Sequence, residues 1–310
     1  MRGVRNTEEG VAVVELDEPV GEGTLLTVVS ASICGTDTGL VDMGSTGYTL
    51  GHEFAGIAED GRAYAVEPNY WCGVCRECRA GDTQRCVGEH RNLGVFSDGG
   101  LCERIAVPSQ YLVALPPDLD VRDACLVEPA AVSWHGVLRA QVQPGERVVV
   151  VGGGSIGLLA VAAGRHLGLA IDLEARYPHQ QAAGARLGAG HPSGEYDVVI
   201  EATGTESGVA RCADLARPGG RVIVLGVFYG AVPVPGVATL VKELTWTGAI
   251  TYGRHDGVRD VEAAAAMLAA SPDIAAAVIT HRFALADAAE AFRVSADRKS
   301  GSIKVAIHPD

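Results

Sequence analysis

No apolar run in the 310-residue sequence reaches the roughly 18 residues that a membrane-spanning helix needs. The first residues also lack the apolar core of a secretory signal, because Glu8 and Glu9 follow closely on Arg2 and Arg5. We therefore expect a cytoplasmic protein that does not enter a membrane. Internal repeats and low-complexity segments are missing too.

Basic residues are also in short supply. The chain has 25 lysines and arginines against 38 acidic residues, for a net charge of −13. Residues 1–128 hold 9 basic and 21 acidic side chains, and residues 129–310 hold 16 and 17. Neither part offers the basic surface that nucleic acid or an anionic membrane requires. The acidic first part also disfavours a polyanionic substrate.

The pattern of the chain changes near residue 123. Residues 1–30 alternate as antiparallel strands do, and residues 54–66 predict a hairpin with its turn at Asp60-Gly61. Beyond residue 123, helices are predicted at 123–142, 155–168, 178–188, 206–216 and 258–270. Strands are predicted between them at 148–151, 169–174, 196–202, 220–227 and 244–250. Such alternation is typical of an α/β fold with a doubly wound parallel sheet, and the length suggests two domains.

The run of four valines from Val148 to Val151 leads into a glycine-rich turn and a predicted helix. Gly152, Gly154 and Gly157 fit the G-x-G-x-x-G spacing, in which the glycines allow a tight turn, close approach of a pyrophosphate, and close helix–strand packing. Ser155 and Ile156 begin the helix, whose N-terminus attracts phosphate. A strand before the motif and a helix after it favour dinucleotide binding over an ordinary glycine turn.

Four of the eight cysteines, Cys72, Cys75, Cys78 and Cys86, have the spacing C-x2-C-x2-C-x7-C. Four thiolates on a short loop can surround one Zn²⁺ as a closed, structural site. An iron–sulfur cluster also takes four thiolates, and the spacing leaves that alternative open.

Other candidate ligands are weak when taken singly. Cys34, His52, Glu53 and Glu128 are scattered over the first 128 residues. An isolated cysteine is usually a small buried apolar residue, a single histidine is usually a hydrogen-bonded core residue, and a glutamate before proline often begins a helix.

Together, several stretches resemble the zinc-dependent medium-chain dehydrogenases, in particular the sorbitol, threonine and glucose dehydrogenase branch. The matching stretches cover nearly the whole chain in the family's order. They are Cys34-Gly-Thr-Asp37, Gly51-His-Glu-Phe-Ala-Gly56, the four-cysteine loop, Leu93-Gly-Val-Phe-Ser-Asp-Gly-Gly100, Val127-Glu-Pro129 and the glycine turn.

The resemblance implies a second, catalytic zinc. Its ligands would be Cys34 and His52, with Glu53 and Glu128 as acidic ligands, one of them acting through water. The resemblance also makes Asp37 the residue that orients His52 and Thr36 the hydroxyl that passes the substrate proton. Such a mixed site keeps a position open for substrate.

The resemblance further implies a domain organisation. A GroES-like, mainly β catalytic domain would comprise residues 1–128 and 273–310, and a Rossmann domain would comprise residues 129–272. The assembly would be a homodimer or a homotetramer.

The sequence departs from the family in two respects. A relay histidine often stands five positions after the catalytic cysteine, and here that position is Gly39; water, Thr38 or Tyr48 are the alternatives. The segments between Ile57 and Tyr64 and between Thr38 and Gly51 are short, which widens the cleft or alters the chemistry. Phe96 resembles a pocket aromatic of the polyol branch, with core packing as the alternative.

The choice of nicotinamide cofactor depends on the end of the second strand of the parallel sheet. Counting about twenty residues from Gly152 reaches Asp172, whereas counting back from Leu187-Gly188-Ala189 reaches Ala175 or Arg176. We prefer the second count. A small residue followed by arginine admits a 2′-phosphate and predicts NADP over NAD, although Glu174 lies close by as a possible ribose ligand.

Two further strand ends complete the predicted cofactor site. The strands ending near Thr203 and Gly226 are expected to line the nicotinamide, because ligands bind at the carboxyl ends of such strands.

The sequence thus predicts a zinc oxidoreductase that transfers hydride between NADP(H) and a small secondary alcohol, a polyol or the matching ketone, with two zinc ions per chain. One alternative is an NAD-linked, threonine-type amino-alcohol dehydrogenase. Another is an NADPH-binding sensor or scaffold protein that keeps the fold without catalysis.

Overall fold

The computed structural model describes residues 1–20, 23–88, 91–297 and 299–309, except for the side chain of Arg91. The chain forms two compact units. The first comprises Met1–Glu128 and Gly253–Asp310, and the second comprises Pro129–Tyr252.

The first part of the first unit consists of strands and short helices. In chain order these are β1 (Arg2–Thr7), β2 (Gly10–Glu15), β3 (Thr24–Ser32), α1 (Gly35–Asp42), β4 (Glu53–Ala58), β5 (Ala63–Val66), β6 (Asn69–Tyr70), α2 (Arg76–Arg79), β7 (Arg91–Asn92), β8 (Arg104–Val107) and β9 (Leu112–Ala114). The hairpin β4–β5 turns at Gly61, whose φ of +81° is the left-handed geometry predicted for Asp60-Gly61.

The second unit alternates helices and strands. Its elements are α3 (Val127–Arg139), which begins two residues before the unit, β10 (Val148–Val151), α4 (Ser155–His166), β11 (Ile171–Glu174), α5 (Pro178–Arg186), β12 (Tyr196–Glu201), α6 (Glu206–Leu215), β13 (Ala216–Val224), α7 (Gly236–Val241) and β14 (Thr245–Gly248). The five strands form a parallel sheet in the order β11-β10-β12-β13-β14. The four valines of β10 are buried, as expected for a central strand covered on both faces.

The chain then returns to the first unit. Its last elements are β15 (Arg254–His255), β16 (Val258–Arg259), α8 (Asp260–Ala270), α9 (Asp273–Val278), β17 (Ile279–Ala284), α10 (Ala288–Ala296) and β18 (Lys304–His308). The main sheet of this unit has the order β17-β18-β3-β4-β5-β9, and β8 also pairs with β3. The last strand therefore lies beside β3, which leads directly to Cys34.

The predicted fold class, a doubly wound parallel sheet with a mainly β second domain, is confirmed. The predicted division differs at one place, because residues 253–272 lie with the first unit. Arg259 explains the difference: its guanidinium pairs with Glu67 at 3.2 Å and donates to the carbonyl oxygens of Gln110 and Leu112. Among the described residues, no helix combines the length and the hydropathy needed to span a bilayer.

Candidate active site

The four-cysteine loop brings its sulfur atoms together around one point. The ligand atoms of Cys72, Cys75, Cys78 and Cys86 all lie within 4.8 Å of one another, and those of Cys72 and Cys78 are 4.0 Å apart. Four sulfurs about 2.3 Å from one zinc ion would be about 3.8 Å apart. The arrangement therefore fits a closed tetrahedral metal site.

Backbone amides favour the thiolate form of two of these cysteines, Cys72 and Cys75, whereas burial raises the pKa of Cys78 to about 12. The N–H of Cys78 points to Cys75 Sγ, and the N–H of Cys75 points to Cys72 Sγ. Hydrogen bonds from backbone N–H groups lower the pKa of Cys75 to about 6 and also lower the pKa of Cys72. The thiolate is the form that binds metal.

A second group of possible ligands lies in the same unit. The ligand atoms of Cys34, His52 and Glu53 are within 4.8 Å of one another. Cys34 caps α1 just after β3, and His52 immediately precedes β4, which begins at Glu53. Antiparallel pairing of β3 with β4 sets Ser32 opposite Glu53 and so brings the two ligand segments together.

Asp37 links the same two segments from behind. This fully buried carboxylate accepts hydrogen bonds from Cys34 N at 2.8 Å and from Gly51 N at 3.2 Å, and it lies 3.5 Å from His52 Nδ1. Burial alone would lower the pKa of His52, but the negative charges of Asp37 and Cys34 more than offset it and raise that pKa well above its ordinary value. The pocket thus favours a cation, and Asp37 has the place expected of it as the residue that orients His52.

Glu53 has a strong partner that sequence reasoning missed. Lys304 Nζ lies 2.8 and 2.7 Å from the two carboxylate oxygens and donates to Ile33 O at 3.1 Å, while the Ser32 hydroxyl donates to Oε2. Glu53 and Lys304 are almost completely buried. Burial would lower the pKa of Lys304, but the charge of Glu53 more than offsets this and raises it. The one signal in the sequence was a lysine next to the apolar run Val305-Ala306-Ile307 of the last strand.

The remaining predicted residues of this unit lie in different settings. Thr36 is half-buried in the first turn of α1. Glu128 is buried near the start of α3 and is not part of the group of three. Phe96 is 70% exposed and lines a groove of about 780 Å³ that borders Tyr70 and Arg104 but, among the described residues, neither Cys34 nor His52. The structure thus gives Phe96 an exposed position rather than a place in the core.

The glycine turn of the second unit has the geometry that the motif predicts. Gly152 has a φ of +118°, which favours glycine. A Cβ on Gly157 would meet Gly152 O at 1.8 Å, so only glycine lets α4 pack this closely. A Cβ on Gly154 would meet nothing within 4 Å. This open space lies at the N-terminus of α4, formed by Ser155 and Ile156, where N–H groups attract phosphate.

The neighbouring strand ends frame this turn. A buried carboxylate, Glu201, ends β12 and accepts hydrogen bonds from Thr203 N at 2.7 Å and Gly204 N at 3.1 Å. A Cβ on Gly226 would lie 2.3 Å from Glu201 Oε2, so a glycine is needed there. Thr203 and Gly226 therefore lie at adjacent carboxyl ends of the sheet, as predicted, and Glu201 is a supporting residue that the sequence analysis did not identify.

The structure at the end of β11 shows where each residue reached by the two counts lies, Asp172 for the first and Ala175 or Arg176 for the second. Asp172 lies inside the strand and accepts a hydrogen bond from the Tyr196 hydroxyl at 2.7 Å. Ala175 follows the strand directly, and a Cβ on Gly153 would meet its Cβ at 2.6 Å. The guanidinium of Arg176 lies 5.6 Å from the ring centre of Tyr177. Ala175, rather than Asp172, is the residue next to the glycine turn.

Comparison with known proteins agrees with this geometry. The family description "Alcohol dehydrogenase GroES-like domain" matches residues 21–117, and "Zinc-binding dehydrogenase" matches residues 187–270. A probable D-xylulose reductase A of Arthroderma otae is 31% identical over 293 residues, covering 80% of this chain and 82% of that protein.

Solved structures agree as well. L-idonate 5-dehydrogenase from Escherichia coli superposes with a TM-score of 0.89 at 25% identity, covering 99% of this chain and 97% of that one. A putative zinc-binding dehydrogenase from Sinorhizobium meliloti bound to NADP has a TM-score of 0.85 at 29% identity, with 99% of both chains covered. Fold, ligand groups and relatives agree: the chain belongs to the zinc-dependent medium-chain dehydrogenases of the alcohol dehydrogenase superfamily and is an oxidoreductase.

Proposed function

We propose that this enzyme transfers hydride between a secondary alcohol or polyol, or the matching ketone, and NADP(H). The observation that carries the proposal is the convergence of Cys34, His52 and Glu53 within 4.8 Å. The similar proteins named as D-xylulose reductase and L-idonate 5-dehydrogenase support a sugar-derived alcohol as the substrate class. A zinc ion, when bound there, supplies a Lewis acid that lowers the pKa of an alcohol.

The residues of this site have separate tasks. The Cys34 thiolate and the His52 imidazole would hold the metal, with Asp37 fixing the orientation of the imidazole through its contact at 3.5 Å. The Thr36 hydroxyl would exchange the proton of the substrate alcohol. Gly39 has no side chain to continue that path, and the Thr38 hydroxyl already donates to Gly35 O at 2.9 Å, which favours a short path that ends in water.

The hydrogen-bond partners of Glu53 limit how strongly its carboxylate could bind a metal ion. Both of its oxygens contact Lys304, so its charge is compensated whether or not a metal is present. We propose that Cys34 and His52 are the lasting ligands, and that the carboxylates of Glu53 and Glu128 act at longer range or through water. The four-cysteine loop would hold the second, structural zinc.

NADP(H) is proposed over NAD(H) because of the residues that follow β11. Ala175 is a small residue packed beside the glycine turn, and Arg176 supplies a positive charge. The relative from Sinorhizobium meliloti was solved with NADP. The threonine-type, NAD-linked alternative would instead require an acidic residue free to bind the ribose hydroxyls.

We also propose a homodimer or a homotetramer. Val237, Leu240 and Val241 of α7 are each more than 70% exposed, and β14 is an edge strand of the parallel sheet. An exposed apolar face beside a strand edge is typical of a contact between subunits. Light scattering should report a mass of at least two chains, and a monomer at micromolar concentration would contradict this.

The activity is tested directly with purified protein. We expect two zinc ions per chain and NADP⁺ reduction with members of a panel of polyols and secondary alcohols. Cys34→Ser should lower kcat/KM by about 10³-fold or more, because a Lewis acid contributes several kcal/mol, and should remove one zinc equivalent. Cys212→Ala, a buried cysteine outside both ligand groups, is the control. NADPH binding without turnover of any alcohol would favour the sensor alternative.

The cofactor preference is tested at Arg176. Arg176→Ala should raise the NADPH dissociation constant about 10- to 100-fold, because a charged hydrogen bond contributes about 1.5–3 kcal/mol, and should leave that of NADH within about 2-fold. The readout is a titration followed by nicotinamide fluorescence. Arg186→Ala, an exposed arginine near the far end of α5, is the control. Equal weakening of both cofactors would show that Arg176 does not read the 2′-phosphate.

The buried ion pair is tested by a double-mutant cycle. Lys304→Met should lower the free energy of unfolding by about 3–5 kcal/mol, because it leaves the buried Glu53 carboxylate without a positively charged partner. Lys304→Met combined with Glu53→Gln should recover most of that loss. Urea unfolding measures both, with the exposed Lys299→Met as control. If the single variant were as stable as the unmodified protein, the pairing would not compensate the buried charge.

A further inference from the structure

The acidic residue at the end of β11 is engaged by an arginine from another element. Glu174 is the last residue of β11, and its carbonyl oxygen accepts a hydrogen bond from Gly152 N at 2.9 Å. In dinucleotide-binding sheets, an acidic side chain at this end of the second strand can hold the ribose hydroxyls of NAD. A free Glu174 carboxylate would therefore favour NAD and repel the 2′-phosphate of NADP.

Arg211 on α6 occupies both oxygens of that carboxylate. Its Nε lies 2.6 Å from Oε1, and its Nη2 lies 2.7 Å from Oε2. This two-point geometry is the strong form of an arginine–carboxylate pair, and the hydrogen bonds to Glu174 raise the pKa of Arg211. Isolated surface ion pairs contribute little to stability. The main effect of this pair is therefore to neutralise the Glu174 carboxylate, not to stabilise the fold.

We propose that Arg211 sets the cofactor preference by neutralising Glu174. The inference rests on the proposed NADP(H) function and adds a residue that acts from outside the Ala175–Arg176 turn. With Glu174 paired, its negative charge is compensated and each of its oxygens already accepts a hydrogen bond, and the residues that follow it are the small Ala175 and the basic Arg176. Arg211 is thus a specificity-determining residue that works through Glu174 rather than by contact with the cofactor.

Other charges near the pair are few. A cavity of about 440 Å³ borders Glu174 and Arg211, and its lining also includes His191 and Asp214. Asp214 lies one turn along α6 from Arg211. Repulsion between a carboxylate and a nearby phosphate, partly screened by solvent, is equivalent to about a 5- to 20-fold change in affinity. The predicted effect is therefore modest but measurable.

The test is a set of variants titrated with NADPH and NADH. Arg211→Met should raise the ratio of the NADPH to the NADH dissociation constant about 5- to 20-fold, because it frees Glu174. Arg211→Met combined with Glu174→Gln should return the ratio to within about 2-fold of the original. The penalty should also shrink between about 0.05 M and 0.5 M salt, because screening weakens charge repulsion.

A matched control lies at the other end of the same sheet. Arg217 pairs with Asp197, with Nε 2.6 Å from Oδ1, near the amino end of β12. Arg217→Met removes a similar ion pair and should leave the cofactor ratio unchanged. Melting temperatures of all variants separate a change in preference from a loss of fold.

The outcomes distinguish the inference from the function on which it rests. If the unmodified protein binds NADH more tightly, the NADP preference is wrong, and a ratio that still rises in Arg211→Met would support the role of Arg211. If Arg176→Ala weakens NADPH binding while Arg211→Met leaves the ratio unchanged, the inference is wrong and the NADP preference stands. Equal weakening of both cofactors, not relieved by Glu174→Gln, would overturn the inference by showing a structural role alone.

Discussion

One buried carboxylate holds the predicted metal ligands at a fixed separation. Asp37 accepts hydrogen bonds from Cys34 N and Gly51 N and lies beside His52. These contacts join the end of β3 to the segment before β4, and together with the pairing of β3 and β4 they hold the thiol of Cys34 and the imidazole of His52 close to each other. An uncompensated carboxylate is costly in the interior, so the local arrangement is stable when a cation or a protonated histidine lies opposite.

The two candidate metal-binding groups stabilise their negatively charged ligands in different ways. The four-cysteine loop is local: its thiols lie within fifteen residues, and backbone amides of the same loop stabilise the thiolate form of Cys72 and Cys75. The group around Cys34 is assembled from distant segments and needs charge compensation from elsewhere. Lys304 provides it, from a strand 251 residues away in sequence from Glu53. A local loop suits a closed structural site, whereas an assembled group leaves room for substrate.

This difference explains what the sequence could predict. The cysteine loop and the glycine turn are defined by spacing within a single segment, so their residues could be named in advance. Cys34, His52 and Glu53 could be grouped only by resemblance to a family, because nothing local links them. Lys304 could not be found, since its role depends on strand β18 lying beside β3. The boundary at residue 253 was missed for the same reason, as Arg259 reaches its partners only in the folded chain.

At the end of β11, counting residues from Gly152 does not by itself identify the side chain available to a cofactor, because the partners of each side chain also matter. Asp172 and Glu174 are two residues apart and therefore lie on the same face of the strand. Each carboxylate already has a partner: the Tyr196 hydroxyl donates to Asp172, and Arg211 pairs with Glu174. An acidic residue near the expected position is therefore not enough to predict NAD binding. What a cofactor meets is the charge that remains after internal pairing, and under the proposed NADP(H) binding the residues left to meet it would be Ala175 and Arg176. The same reasoning applies at Glu53, whose identity predicts a metal ligand while its partners limit how much of its charge a metal can use.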